Sequence, residues 1–274
     1  MVRSSLAFFA AVVLHGAVSS AVNVSLPIGP PSNSQPLSRT LLSFSIEQDR
    51  WPDWSGVDAR NEFTHDALLA LAKLTGQPPK IRVGANSEDH TVWSPTVTIN
   101  EDEFPPPSTL TPYPEATRIT VGDEYYKLSR WLPRGTHMTW GVNLGADNIT
   151  NAVNMAKAIV GAFKTFAVKA SGVVLDLIEI GNEADLYKNN GLRPSNWTVQ
   201  ECVADWISVA SPVAEAAGIY GNDGPVSLQG AAFAGQGFTP RQIFSLGILD
   251  SEPGKAISMY VDMTALRVLN SCGL

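Results

Sequence analysis

Hydrophobic and polar positions follow two different periods along residues 41–262, and this pattern predicts strands that alternate with helices. Short apolar runs typical of buried strands occur six times. They are LLSFSIE (41–47), KIRVGA (80–85), MTWGVNLG (138–145), DLIEIGNE (176–183), VSLQGAAFAG (226–235) and AISMYVD (256–262). Strands that alternate with helices favour parallel pairing through right-handed crossovers.

Three of the intervening segments carry a helical period. Asn61 is expected to cap a helix that ends at Gly76, and Thr198 with Glu201 forms a capping box for a helix that runs to Gly218 and bends at Pro212. Each of the first two helices shows an apolar stripe: Phe63, Ala67, Leu68, Leu71 and Leu74 in one, and Ala152, Ala156, Ile159, Val160, Phe163 and Ala167 in the other. Residues 95–118 are rich in Pro and Thr without any helical period, so a long loop is expected there.

Two architectures fit this pattern, an open doubly wound sheet and a (β/α)8 barrel. No Gly-rich phosphate-binding motif follows the first strand, where the chain reads SFSIEQDRWPDWSG. Polar residues instead cluster past the strand ends, where barrel enzymes build their sites. The pattern therefore favours an α/β fold of the TIM-barrel type, although only six of the eight strands are recognisable.

The strand end at LIEIGNEADLY carries the clearest chemistry. A carboxylic acid at the lip of a barrel strand, partly walled by apolar residues, keeps a raised pKa and can donate a proton to a leaving oxygen. Glu183 fits this role, and the neighbouring Asn182 can hydrogen-bond a sugar hydroxyl. The alternative is an ordinary polar pair between strand and loop. Asp176, Asp185 and Tyr187 flank the acid and are expected to be solvated or to support it from behind.

Other polar and aromatic residues follow the first two strands. Glu47 ends the first strand and is expected to contact substrate, whereas Trp51 and Trp54 could either stack on a sugar ring or pack beneath the barrel mouth. Asn86 and Asp89 follow the second strand and could contact sugar or cap a turn.

Composition narrows the class of partner. The chain has 274 residues with 26 acidic against 19 basic ones and no basic stripe, so a nucleic-acid partner is not expected. The four His (15, 65, 90 and 137) lie far apart in sequence, and the only two cysteines are Cys202 and Cys272, whose pairing stays open. Neither a metal site nor a cofactor is expected.

The N-terminus predicts secretion. Residues 1–21 combine a basic start, a short apolar stretch and a small-residue exit, as in a signal peptide. The stretch is shorter than the about 20 apolar residues of a membrane span, and no membrane partner is expected. Asn23, Asn148 and Asn196 begin glycosylation triplets, which matter only in a secreted chain.

SFSIEQDRWPDWSG, KIRVGANSEDHTVW and IEIGNEADLY together resemble fungal members of glycoside hydrolase family 79, the β-glucuronidase and heparanase-related enzymes. The similarity continues through SLQGAAFAG and GFTPRQIFSLGILDS. It implies a (β/α)8 barrel with an accompanying β-sandwich domain, and retaining hydrolysis of glucuronide-type glycans. By position, Glu183 matches the general acid/base, Asn182 the preceding Asn, and Glu47 a substrate-contacting carboxylate.

The resemblance also marks a departure. It implies a nucleophilic Glu on the seventh strand, but no Glu occurs after Glu252, and the sequence diverges abruptly near Val261. We therefore expect a truncated, inactive and aggregation-prone product, with a signal peptide (1–21), a Pro/Ser-rich segment (22–40), a partial barrel (41–263), a divergent tail (264–274) and no sandwich domain. Two alternatives remain: another exo-glycosidase on the same barrel, or a non-catalytic carbohydrate-binding protein.

Overall fold

The computed structural model describes residues 29, 34, 36–219, 221, 224–235 and 237–262, and every element below lies in the compact unit that begins at Ser38. The strands are β1 Phe44–Glu47, β2 Ile81–Gly84, β3 Thr91–Trp93, β4 Asn100–Glu103, β5 Arg118–Val121, β6 His137–Val142, β7 Val174–Ile180, β8 Ser227–Phe233 and β9 Ile257–Asp262. The helices are α1 Trp51–Ser55, α2 Glu62–Thr75, α3 Asp123–Lys127, α4 Ile149–Lys164, α5 Phe166–Ser171, α6 Tyr187–Asn190, α7 Val199–Ala217 and α8 Pro240–Ser245.

Six strands form one parallel sheet in the order β1-β2-β6-β7-β8-β9. Each new strand is added at the same edge, as in a (β/α)8 barrel, whereas a doubly wound sheet reverses its order at a switch point. The sequence prediction of an incomplete α/β barrel is confirmed, and all six predicted strands are present. In the described part of the chain the sheet does not close, because β1 and β9 each pair on one side only.

The helix boundaries follow the predicted caps. The Asn61 side chain accepts a hydrogen bond from the backbone N–H of Thr64 at the start of α2, which ends at Gly76 with a left-handed φ of 81°. The capping box of Thr198 and Glu201 is formed at α7, and this helix continues through Pro212 to Gly218.

The apolar stripe of α2 is less buried than its period suggested. Leu68 is buried, but Phe63 is 81% and Leu74 is 83% exposed. The period specifies which residues share a face, whereas burial needs a neighbouring element that covers that face. The stripe of α4, by contrast, is buried against α7 and β6, with Ala152, Ala156 and Ile159 fully enclosed. The expected last member of that stripe, Ala167, is exposed and belongs to α5, because α4 already ends at Lys164.

The prediction of a long loop over residues 95–118 is wrong. This region contains β4 and the start of β5, which with β3 form a second, three-stranded sheet in the order β3-β5-β4. The sequence of β4 is NEDE and its side chains are partly or fully exposed. Because β4 lies at the edge of this small sheet, backbone pairing with β5 defines it rather than an apolar pattern.

The segment that follows β1 packs into an aromatic cluster. Trp51 is fully buried, lies edge-on to Trp140 at 5.6 Å between ring centroids, and donates from Nε1 to the Tyr125 carbonyl. Tyr125 donates its hydroxyl to the Gln48 carbonyl at 2.6 Å. These contacts fix the chain that leaves β1 against β6 and α3, and thereby fix the position of Glu47.

Candidate active site at the strand ends

A row of neighbouring strand residues crosses the sheet close to the strand ends. Glu47 of β1 pairs with Gly84 of β2, Gly141 of β6 pairs with Glu179 of β7, and Glu179 pairs with Gln229 of β8. The two residues in the middle of the row are glycines. The row therefore leaves space between Glu47 and Glu179, and polar side chains from β2 and the following turn enter that space.

Arg82 of β2 is the central cation of this region. Its Nε and Nη2 donate to the two carboxylate oxygens of Glu179, its Nη1 donates to Ser45 Oγ at 2.8 Å, and its Nη2 also donates to Asn182 Oδ1 at 2.8 Å. Gln229 Nε2 donates to Glu179 as well. Arg82 thus links three strands to the residue that precedes Glu183.

Glu47 lies at the end of β1 with a half-buried side chain. Its carboxylate accepts from the Ser87 backbone N–H at 2.8 Å, from Ser87 Oγ at 2.5 Å and from the Asn86 N–H at 3.4 Å. Burial raises the pKa of Glu47, against the lowering effect of the Ser87 hydrogen bonds. The loop before β5 contributes Glu115, whose carboxylate accepts from Asn86 Nδ2 at 2.6 Å.

The Asn182–Glu183 pair lies immediately after β7. Gly181 has φ 76° and Glu183 has φ 51° and ψ 43°, so the backbone turns sharply through the left-handed region on both sides of Asn182. The Glu183 N–H donates to the Ala232 carbonyl of β8 at 2.7 Å, which fixes the turn. Ala85 and Ala231 also have positive φ, at 61° and 56°, so backbone strain is concentrated where the strands of this sheet end.

The carboxyl group of Glu183 is half-buried and accepts no hydrogen bond from any residue that the structure describes. Burial raises the pKa of Glu183, the charge of Asp185 raises it further, and Arg82 opposes both. A carboxyl group in this environment keeps its proton closer to neutral pH than an exposed glutamate does. It can therefore deliver that proton to a bound oxygen atom.

Asp89 lies inside the protein, where its carboxylate accepts from four donors. They are the N–H groups of Leu144, Gly145 and Asn182 and the hydroxyl of Tyr187, the last at 2.7 Å. Burial raises the pKa of Asp89 to about 6, although these hydrogen bonds lower it. Of the two alternatives that the sequence left open for Asp89, a sugar contact or a turn cap, this geometry favours the structural one.

The other acidic and aromatic residues near the strand ends have mainly structural contacts. Asp185 is buried and accepts from the N–H groups of Ala234 and Gly235, so it holds the segment after β8. Asp176 lies in β7, four residues before Ile180. Its carboxylate oxygens contact Lys80 Nζ at 3.2 Å and His137 Nδ1 at 2.6 Å. Of the two tryptophans, Trp51 packs in the core and Trp54 is 46% exposed in an apolar groove beside α2.

Four residues of the site escaped the sequence analysis: Arg82, Glu179, Gln229 and Glu115. The sequence does mark Arg82 and Glu179, because each is a charged residue between two apolar neighbours in its strand. In a strand with one solvent-facing side such positions are usually exposed, whereas here they face one another across the sheet.

Among the described residues, no group of three or more His, Cys, Asp or Glu side chains could hold a metal ion, and no helix is long and apolar enough to cross a membrane. Asn148 and Asn196 are exposed, and Asn148 also caps α4. Cys202 is a buried free cysteine. Asn23, Cys272, the expected signal peptide and the expected divergent tail lie outside the described residues.

Comparison with known proteins links the chain to glucuronidases. A β-glucuronidase from Aspergillus niger is 31% identical over 194 residues, which cover 69% of this chain and 34% of that protein. A β-glucuronidase from Neurospora crassa is 29% identical over 203 residues, which cover 70% of this chain and 34% of that protein. The chain therefore spans about a third of the length of these relatives. No protein-family model matches it.

A solved structure agrees with the fold. The 4-O-α-L-rhamnosyl-β-D-glucuronidase from Fusarium oxysporum 12S, solved with Rha-GlcA, superposes with a TM-score of 0.65 at 20% identity, over 85% of this chain and 46% of that one. The relationship that the strand-end motifs predicted is confirmed over the matched part of the chain.

Proposed function

Because the chain is a relative of β-glucuronidases over about 70% of its length, we propose that it forms part of a retaining glycoside hydrolase of β-glucuronidase type. The observation that carries this proposal is the half-buried carboxyl group of Glu183. It accepts no hydrogen bond from a described residue, and the turn after β7 holds it at the strand end. Such a group suits the general acid that protonates a glycosidic oxygen.

Asn182 is proposed to orient the sugar. Arg82 can only donate, so its contact at 2.8 Å identifies the accepting atom of Asn182 as Oδ1. The Nδ2 group then remains as a donor for a sugar oxygen. Glu47 and Asn86 are proposed as further substrate contacts, since both lie at neighbouring strand ends and are partly exposed.

The second carboxylate of a retaining site would lie about 5–5.5 Å from the first. The described carboxylates around Glu183 are already engaged: Glu47 by Ser87, Glu179 by Arg82, and Asp185 by the backbone after β8. We therefore place the nucleophile outside the described residues. The described residues alone are therefore expected to turn over no substrate.

Secretion is part of the same proposal. A signal peptide over residues 1–21 and glycosylation at Asn23, Asn148 and Asn196 suit an enzyme that meets glycans outside the cell. The exposure of Asn148 and Asn196 supports this part of the proposal.

The experiment that tests the function is release of 4-nitrophenol from its β-glucuronide, with the β-glucoside and β-galactoside as controls. It compares the printed chain with a chimera in which this chain replaces the matching third of the Aspergillus niger β-glucuronidase. We expect hydrolysis of the glucuronide by the chimera alone. A chimera that prefers the glucoside or galactoside would contradict the glucuronidase assignment in favour of another exo-glycosidase.

A second candidate is a carbohydrate-binding protein without catalysis, for which the polar side chains of Glu47, Asn86 and Asn182 at the strand ends would suffice. Saturable binding of glucuronic acid by the printed chain, together with a folded but inactive chimera, would favour this candidate.

A further inference from the structure

Glu88 is a buried carboxyl group for which the proposed mechanism has no use. It lies in the short turn of 3-10 helix Asn86–His90 after β2, and its side chain is fully enclosed. Neither of its oxygens has a hydrogen-bond partner among the described residues. A methyl group on Gly84 or Gly141 would collide with its Oε2. The space left by the two glycines in the row of strand residues is therefore filled by this carboxyl group.

The nearest cation to Glu88 is Arg82, at 3.7 Å between Oε2 and Nη2. This contact is an ion-pair distance without a hydrogen bond, because both hydrogens of Nη2 already point to Glu179 and Asn182. One guanidinium thus faces two buried carboxyl groups, and it is hydrogen-bonded to only one of them.

We propose that Glu88 is a positioning residue that packs against the Arg82 guanidinium and keeps its Nη2 directed at Asn182 Oδ1, so that Asn182 Nδ2 faces the substrate. The contact between Asn182 and substrate rests on the proposed function. The position of Glu88 itself is independent of that function. It follows from the space beside Gly84 and Gly141, the enclosed carboxyl group and the Arg82 hydrogen bonds.

The charges around Glu88 define its state. Glu179 of β7, Glu47 of β1 and the adjacent Asp89 face it with negative charge, and Arg82 of β2 is the opposing cation. Burial raises the pKa of Glu88 well above its usual value, and the charge of Glu179 adds to this effect. The raised pKa favours the neutral acid, which fills the space between the glycines without taking a hydrogen bond from the guanidinium.

The test combines Glu88→Gln, which keeps the shape and fixes the neutral state, with Glu88→Ala, which empties the gap. Equilibrium unfolding is measured from pH 5 to pH 8. A folded-state pKa above the unfolded value means that stability is present at low pH and lost as the pH rises. The unfolding constant of the wild type should therefore rise with pH relative to that of Glu88→Gln, by up to about tenfold per pH unit. Glu215→Gln, an exposed helix position, should track the wild type.

The positioning role is read from the side-chain amide signals of Asn182 in NMR spectra without substrate. Glu88→Gln should retain them, and Glu88→Ala should shift them. Glu88→Asp, which shortens the side chain, takes the place of Glu88→Ala if the latter does not fold. A stability ratio that is constant with pH would overturn the neutral state of Glu88, and unshifted Asn182 signals would overturn its positioning role. Since neither measurement uses hydrolysis, failure here is separate from failure of the proposed function.

Discussion

At the scale of single residues, the turn after β7 makes Glu183 different from the other acidic residues around it. Its φ of 51° directs the side chain away from the backbone path that a strand would follow, and no described residue donates a hydrogen bond to its carboxyl group. Asp185 lies two residues further along and Asp89 follows β2, yet both accept hydrogen bonds from several backbone N–H groups. This difference in hydrogen bonding supports the proposed role of Glu183 as the proton donor and a structural role for Asp89 and Asp185.

The Asp89 hydrogen bonds should support the turn that carries Glu183. Tyr187→Phe removes the hydroxyl that donates to Asp89 at 2.7 Å and leaves that carboxylate one donor short inside the protein. We expect a loss of about 1–3 kcal/mol in the free energy of unfolding. Urea denaturation measures it. Tyr113→Phe, 85% exposed, is the matched control and should change stability by less than about 0.5 kcal/mol.

The sequence predicted Asn182 and Glu183 because an apolar run that stops at Gly-Asn-Glu is a local signal. It could not predict that Asp89 turns inward or that Arg82 and Glu179 meet. Both depend on which strands are neighbours and on the absence of a side chain at Gly141, which lies between them. Polar residues that face each other across a curved sheet have the same alternation as residues that face water.

At the scale of elements, the two glycines beneath Glu88 are a property of strands β2 and β6. Gly141→Ala places a methyl group on the Glu88 carboxyl group, and we expect a loss of about 1–3 kcal/mol from overpacking. Gly161→Ala is the matched substitution, since nothing lies within 4 Å of the added methyl group on the exposed face of α4. It should gain about 0.5–1 kcal/mol through helix propensity. A similar effect of both substitutions in urea denaturation would contradict the filled gap.

Strands and helix caps were predictable because their signals are short-range: an apolar run, an Asn or Thr before a helix, a glycine after it. The failures were elements defined by a partner. β4 exists through its pairing with β5, and the exposure of Phe63 on α2 depends on what covers that helix. No pattern within either segment contains this information.

At the scale of the whole molecule, an apolar groove beside β1 favours self-association of the 274-residue chain. Phe44 and Ile46 of β1 line it together with Trp54 and Phe63, and β1 pairs only with β2 in the described part of the chain. Edges and apolar faces of this kind promote self-association. The chain as printed should therefore form oligomers, as light scattering after size exclusion would show.

Phe63→Asp should weaken this association without loss of stability. The side chain is 81% exposed, and a carboxylate in the first turn of α2 interacts favourably with the helix dipole. Leu110→Asp, at a residue that is 94% exposed outside the groove, should leave the association unchanged. A monomeric wild-type chain, or equal effects of both substitutions, would show that the groove is not the contact.

The measurement that tests the central claim most directly is the effect of Glu183→Gln on hydrolysis of aryl β-glucuronides by the Aspergillus niger chimera. A general acid matters most for a poor leaving group. We expect kcat/KM to fall about 10²–10⁴-fold for the phenyl glucuronide and much less for the 2,4-dinitrophenyl glucuronide. Equal activity of the wild-type chimera and the Glu183→Gln chimera on the phenyl glucuronide would contradict the assignment of Glu183 as the proton donor.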